Sequence, residues 1–296
     1  MSFDEAFKSV IIANEANLSL KQKHLHIAQA NNEANLYLKD LSFIILESPQ
    51  ITLTSALLSA VAKHKIVLLT CDESHLPNGV FMPFLGHFQS SQIAKEQLLV
   101  KEQTKAILWQ KIIKNKITNQ SFVLSRAGYK KQCDELLDFA NQVRLNDSSF
   151  VESRAAALYF KTLFGIDFSR NNPCFINSAL NYGYAIVRAA IVRAVCISGL
   201  LSWLGIKHAN ALNQFNLCDD IIEVFRAFVD MKVLGLKSDD ELLDKAHKRE
   251  LIEILQCEVS LNGQKIPLIR GVNHFVQSFR NALLEGGELA NVSFAR

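Results

Sequence analysis

The sequence predicts an α+β protein: a small N-terminal β-sheet domain over residues 1–86, followed by a larger, mostly α-helical domain over residues 87–296. Two observations carry this. Before residue 85, apolar residues alternate with polar ones or form short β-branched runs, a period of two. From about Ser90 the apolar period changes to 3.6. A third observation, the segment Pro83-Phe84-Leu85-Gly86-His87, marks the exit from one to the other. Across 296 residues, 49% are apolar and 21% charged, which suffices for a buried core and excludes disordered or collagen-like chains.

Each element follows from its own residues. Val10-Ile11-Ile12 is a β-branched run. Leu18 and Leu20, then Leu25 and Ile27 after Lys21-Gln22-Lys23, alternate with polar residues. Phe43 to Leu46 predicts a strand closed by Pro49, and Ile66 to Cys71 one buried on both faces. Ser55 to His64 has helical spacing with an N-cap at Thr54 or Ser55, and Pro77-Asn78-Gly79 is a turn signal. In the second half, Ile93 to Ile113 marks one or two helices with Lys on the other face. Tyr129–Val143 and Val151–Phe164 follow, the latter ended by Gly165. A long helix is predicted from Phe175 to Trp203, stopped by Gly205, and another from Phe215 to Leu234. Asn262-Gly263 predicts a type I′ hairpin between Glu258–Leu261 and Gln264–Leu268. Val272–Leu284 is the last helix, and residues 285–296 read as a loose tail.

The net charge of +3 conceals a gradient. Residues 1–86 carry 6 basic and 8 acidic groups, residues 87–145 carry 10 and 5, and residues 146–296 carry 16 of each. Residues 101–131 hold eight Lys/Arg against the single Glu102. That density points either to a solvated helix face or to a polyanion site. The segment MSFDEAFKSVII lacks a basic start, so no secretory signal is predicted. No membrane span is predicted either, because Arg188 and Arg193 interrupt the most apolar stretch, Ala179–Leu204. Cys71, Cys133, Cys174, Cys196, Cys218 and Cys257 sit singly and read as reduced residues of an intracellular protein.

Functional candidates are polar residues on helices that should be dry. Asn177, Asn181, Tyr184 and Arg188 share one helix face. They form either a structural network or a cleft wall with Arg188 toward a phosphate or carboxylate. Asp220, Glu223, Arg226 and Asp230 are spaced as a second stripe. Such acids repel unless Arg226 or a cation separates them, so the stripe is an internal salt bridge or a divalent-metal site. His208 stands in a polar, turn-rich segment, and Glu152 opens a helix, where an acid also complements the helix dipole. Two carboxylates and a histidine suit Mg²⁺ or Mn²⁺.

At these residues the chain resembles a known family. Glu152-Ser-Arg-Ala-Ala-Ala-Leu-Tyr-Phe-Lys-Thr-Leu-Phe-Gly165 resembles the first acidic motif of the CRISPR-associated integrase, the adaptation protein of CRISPR systems. Asn177-Ser-Ala-Leu-Asn-Tyr-Gly-Tyr184 is similar to its Asn/Tyr/Gly helix. Leu204-Gly-Ile-Lys-His208, with Asn213 to Arg226 and Asp230, resembles its His and acidic motifs. Gln50–Leu58 and Cys71–Pro77 are similar too, and the wording is that of the type II subset. Val224 departs from the proline of many relatives.

The resemblance implies a β-rich dimerisation domain and a metal-dependent catalytic domain. Glu152, His208 and Glu223 match the catalytic metal ligands, with Asp220 an accessory acid. It implies a Mg²⁺- or Mn²⁺-dependent DNA endonuclease/integrase that inserts captured DNA fragments into a CRISPR array by 3′-hydroxyl attack. His208 is then a ligand or a proton shuttle. Arg188, Arg226, Lys101, Lys105, Lys111 and Lys114 are the candidates for DNA phosphate contacts. The implied partners are double-stranded DNA, a second copy of the chain, a small adaptation protein completing a heterohexamer, and the type II effector nuclease, in the prokaryotic cytoplasm and without a membrane. A metal-dependent structure-specific DNase and a non-catalytic DNA-binding scaffold are the alternatives.

Overall fold

The computed structural model describes residues 8–73, 77–83, 86–236 and 243–295. His75, Phe84 and Leu85 of the sequence reading lie outside them, as does the start of the N-terminal segment. The chain divides into two compact units, Met1–Phe88 and Gln89–Arg296. The first is built of strands with one helix, and the second is mostly helical.

In the first unit, β1 (Lys8–Ile12), β5 (Leu41–Leu46), β7 (Val67–Cys71) and β8 (Pro77–Phe81) form one sheet in that order. β1, β5 and β7 are parallel, and β8 is antiparallel at the edge. Every residue of β5 is buried, as expected for a strand with neighbours on both sides and packed faces. The second sheet runs β4 (Asn32–Tyr37), β3 (His24–Gln29), β2 (Ala16–Lys21), β6 (Ile51–Leu53). β2 and β3 are joined through Gln22 and Lys23, both at positive φ, which matches the twist of a tight hairpin. The sequence does not predict β4, because NEANLY is an exposed edge strand with no apolar face to alternate. Pro77-Asn78-Gly79, predicted as a turn, opens β8 instead: proline is tolerated at the first residue of an edge strand. The helix α1 (Ser55–Lys63) is capped by Thr54, whose hydroxyl accepts from the Leu57 amide at 3.3 Å, and buries Leu57 and Val61 in the sheet core.

The second unit contains α2 (Ser90–Leu98), α3 (Glu102–Arg126), α4 (Lys130–Gln142), α5 (Val151–Phe164) and α6 (Phe175–Ser198). α7 (Asn216–Ile222), α8 (Arg226–Leu234), α9 (Lys245–Ile252) and α10 (Leu268–Leu284) follow, with the strands β9 (Glu258–Leu261), β10 (Gln264–Pro267) and β11 (Val292–Phe294). Asn262 and Gly263 both have positive φ, as the predicted type I′ turn between β9 and β10 requires.

Four expectations change. α6 ends at Ser198, with Gly199 left-handed at φ 80°, so the stop signal is Gly199 and Gly205 has another duty. By length and apolar content α6 is long enough to cross a membrane, contrary to the sequence expectation. Yet 72% of its most apolar window is buried inside the protein, the pattern of a core helix. The predicted Phe215–Leu234 helix is broken at Glu223–Phe225 into α7 and α8. The tail is not loose. β11 pairs with β9, Phe294 stacks between Phe122 and Phe228, and the Asn115 amide donates to the Val292 carbonyl at 2.7 Å.

Candidate functional site

The site is assembled by α3, α5, the Gly199–Phe215 segment and the break between α7 and α8. α3 crosses the unit's core and carries buried polar residues on one side, Lys116 and Asn119 among them. Asn119 is 1% exposed. Its amide donates to the Val224 carbonyl at 3.2 Å and to the Val292 carbonyl at 3.0 Å. It thereby satisfies a backbone acceptor that the break in the helix leaves open. Glu223 stands at that break and faces Lys116, while keeping its i,i+3 contact with Arg226.

Lys116 Nζ lies 2.6 Å from Glu152 Oε1 and 2.6 Å from Glu223 Oε2. Two carboxylates from different helices therefore face one positive charge. Glu223 is also held by Arg226, whose Nε donates to Oε1 at 2.8 Å. Burial alone would raise the Glu223 pKa, but Lys116 and Arg226 overcome it and hold the carboxyl down at about 2. Burial likewise disfavours the Lys116 ammonium, and the opposing charges of Glu223 and Glu152 outweigh it, so its pKa ends above the usual value. Glu152 sits in the first turn of α5. The Asp147 carboxylate caps that turn by accepting from the Val151 amide at 2.9 Å and the Glu152 amide at 3.1 Å.

Asp220 is fully buried and belongs to the histidine. Its Oδ2 accepts from the Ile206 and Lys207 amides at 2.6 and 3.2 Å. Its Oδ1 accepts from the His208 amide at 3.0 Å and meets His208 Nδ1 at 2.8 Å. Both oxygens are thus committed to holding the loop and the ring, which leaves Nε2 as the imidazole's available nitrogen. The hydrogen bond to Asp220 raises the His208 pKa against the opposing effect of partial burial, and the Glu223 charge adds to it. Gly205 explains the tightness of this loop. A Cβ there would sit 2.3 Å from the His208 carbonyl oxygen and 2.7 Å from Asp220 Oδ2.

The remaining candidates separate. Asp230 turns away from Glu223 to accept from the Tyr159 hydroxyl at 3.0 Å and from the Tyr184 hydroxyl; burial lifts its carboxyl to about 6 despite both bonds. Arg226 lies over the Tyr184 ring, 4.6 Å from its centroid. The stripe on α6 is bridged by Arg170, which donates to the side-chain oxygens of Asn177 and Asn181. Arg188 pairs with Asp219 at 2.7 Å, and Arg226 with Glu223, so both cations already have carboxylate partners. Lys101 and Lys111 are exposed, Lys105 pairs with Glu102 at 2.7 Å, and Lys114 is half-buried on α3.

Among the described residues, no group of three His, Cys, Asp or Glu side chains is gathered closely enough to hold a metal ion. What the chain does present is two carboxylate oxygens, one from Glu152 and one from Glu223, converging on one cation, while His208, oriented by the buried Asp220, is not gathered with them into a three-ligand group. That donor chemistry fits a hard divalent ion such as Mg²⁺ or Mn²⁺, with the Lys116 ammonium marking where positive charge is wanted.

The family model described as CRISPR associated protein Cas1 matches residues 10–266. The chain belongs to the Cas1 family. A CRISPR-associated endonuclease Cas1 of Neisseria meningitidis serogroup C (strain 8013) is 38% identical over 277 residues, 93% of this chain and 91% of that protein. Two solved structures share the fold. A casposase bound to integration product superposes with a TM-score of 0.77 at 19% identity, covering 95% of this chain and 92% of its own. A Cas6-RT-Cas1–Cas2 complex superposes with a TM-score of 0.74 at 19% identity, covering 96% of this chain and 35% of the longer one. Lys116 and Asn119 escape the sequence reading because their basic and amide types look like solvated helix surface. The signal was polar residues interleaved with apolar ones on one long helix, Lys116 before and Asn119 after the apolar Ile117.

Proposed function

We propose that this Cas1-family protein is a divalent-metal-dependent DNA integrase that joins the 3′-hydroxyl of a captured DNA fragment to a phosphodiester at a CRISPR repeat boundary. The observation that carries the reading is the pair Glu152 and Glu223, converging on one cation 2.6 Å from each, in a chain of this family. Mg²⁺ or Mn²⁺, held by Glu152, His208 and Glu223, would polarise the phosphoryl oxygen and stabilise charge on the attacking or leaving oxygen. The chain's own residues prepare for this. Asp220 fixes the ring of His208 through Nδ1, so the neutral ring offers the Nε2 lone pair, as a ligand or as a proton carrier. Arg226 and Asn119 keep Glu223 at the helix break. Asp147 fixes the first turn of α5, which carries Glu152.

The casposase neighbour, whose structure holds an integration product, supports joining over simple cleavage. The Neisseria relative is named an endonuclease, which favours a second reading in which the same site only cuts branched DNA. We infer further that the protein acts in the cytoplasm as a homodimer formed through its β-rich unit, residues 1–86, with residues 87–296 catalytic. By the same inference it assembles on a small Cas2-type partner into a heterohexamer and contacts the type II effector nuclease. The Cas6-RT-Cas1–Cas2 neighbour supports the small partner. The deciding experiment incubates protein, its small partner and a labelled duplex with a supercoiled repeat plasmid in Mn²⁺. Label joined to the plasmid supports the integrase; nicked or cut DNA with no joined label supports the nuclease.

A further inference from the structure

The two acids of the candidate metal site already share a cation of the chain's own, to which the proposed reaction gives no part. Lys116, in the interior of α3, has a side chain only 8% exposed. Its ammonium donates to Glu152 Oε1 at 2.6 Å and stands 2.6 Å from Glu223 Oε2. The two contacts differ in kind. The first is a directed hydrogen bond, whereas Glu223 Oε2 is buried and accepts no hydrogen bond among the described residues. Charge alone covers that oxygen, and a buried acceptor left in this condition is the kind that an ion satisfies.

The second cation of the site is held differently. Arg226 donates to Glu223 Oε1 at 2.8 Å and lies over the Tyr184 ring, two contacts that fix it in place. Lys116 carries a compact ammonium on a flexible stem, and among the described residues its polar partners are the two acids themselves. It is therefore the cation of the pair that can give way. Glu152 forms the open side, its side chain 28% exposed against 6% for Glu223. An ion arriving from solvent meets Glu152 first and the ammonium next. A divalent ion on the same two oxygens would stand close beside a like charge in a poorly screened setting, where repulsion is strong. The two cations cannot both keep these oxygens.

We propose that Lys116 is a resident counter-cation of the metal site: its ammonium holds the position between Glu152 and Glu223 in the metal-free protein and is displaced when a divalent ion binds. The inference rests on the metal-site reading of the two acids and adds what governs their loading. Lys116 neutralises the acids without metal, and by the same contacts it weakens the free protein's affinity for the ion. It is a positioning residue that acts through the carboxylates.

The test uses the full chain without DNA and Mn²⁺ alone as the probe, titrated by calorimetry. Lys116→Gln and Lys116→Met should bind Mn²⁺ about 10-fold or more tighter than wild type, because the competing charge is gone. Lys116→Arg, which keeps the charge, should bind no tighter than wild type. A merely structural role for Lys116 predicts the reverse, since a loosened site binds an ion less well. Glu152→Gln/Lys116→Gln should lose the gain, which places the ion on the acids. Melting curves check that each variant folds. Wild type gives a second readout that needs no variant, reductive methylation read by peptide mass spectrometry. Lys116 should be modified several-fold faster in saturating Mn²⁺ than in EDTA, while the exposed Lys39 reacts equally in both. Folded Lys116→Gln and Lys116→Met that bind Mn²⁺ no tighter than wild type overturn the competition and leave the metal-site reading intact. So does Lys116 that stays equally protected when Mn²⁺ is bound. A gain in affinity that survives Glu152→Gln overturns it too. Wild type and all variants failing to bind Mn²⁺ overturns both readings.

Discussion

Lys116 and Glu223 face each other at 2.6 Å, both almost wholly buried, with Glu152 at the same distance from the ammonium on its other side. A lysine seldom enters a core without such partners, and here it neutralises two acids that would otherwise repel. Removing it leaves buried negative charge uncompensated. Lys116→Met should therefore lower stability by about 3–5 kcal/mol in EDTA. Mn²⁺ should recover much of this loss, because it supplies the missing charge to the same oxygens. Differential scanning fluorimetry with and without Mn²⁺ measures both. An EDTA melting temperature equal to wild type would remove the ion pair from the account.

Asp220 commits both carboxylate oxygens to His208 and its loop. Asp220→Asn keeps the shape but exchanges one acceptor for a donor that faces backbone N–H groups. We expect about a 10–100-fold loss of Mn²⁺ affinity or strand transfer, the usual cost of disturbing a group that orients a ligand. Calorimetric Mn²⁺ titration reads the affinity directly. An unchanged affinity and rate would mean that the orientation of His208 is irrelevant.

Gly205 tests the same loop sterically. A methyl at this position would press on the His208 carbonyl oxygen at 2.3 Å and on Asp220 Oδ2 at 2.7 Å. Gly205→Ala should thus resemble Asp220→Asn in activity while also lowering the melting temperature. Gly235→Ala is the control, since its nearest neighbour would be 3.5 Å away. Equal melting temperatures for the two variants would contradict this.

Asp230 gives a pH signature. Burial lifts its pKa from 3.8 to about 6 in the folded protein. Between those values the native state holds a proton that the unfolded chain has lost. The contribution to stability is fully present below about 3.8 and disappears as pH rises through about 6. Asp230→Asn lacks this titration but keeps a partner for Tyr159 and Tyr184. The melting-temperature difference, wild type minus variant, should grow as pH falls from 7 to 5. A difference independent of pH would place the Asp230 pKa near its ordinary value.

The sequence made parts of this site legible for a physical reason. Glu152, His208, Asp220 and Glu223 stand out because acids and a histidine in apolar helical segments need a partner, and motif wording linked them. Lys116 and Asn119 did not stand out, since lysine and asparagine on a long helix look like solvent-facing residues until their tertiary partners are known. The period of 3.6 also runs unbroken through Glu223–Phe225, so it concealed the break that separates Glu223 from Asp230. The β11 strand was hidden for a similar reason. Three residues are too few to show a period, and their place is fixed by Asn115 and Phe122 from a distant helix. The two-part architecture was legible because long segments with different periods average over such local exceptions.

On the proposed function, Glu152 and Glu223 together hold the cation that drives strand transfer. The most direct measurement is joining of a labelled duplex to a supercoiled repeat plasmid by wild type, Glu152→Gln, Glu223→Gln and the double variant, each shown to be folded and to bind DNA. The expected result is joining by wild type in Mg²⁺ or Mn²⁺, none in EDTA, and a loss of about 100-fold or more in each variant, with the double no worse than the singles. Joining by the double variant at the wild-type rate would contradict it.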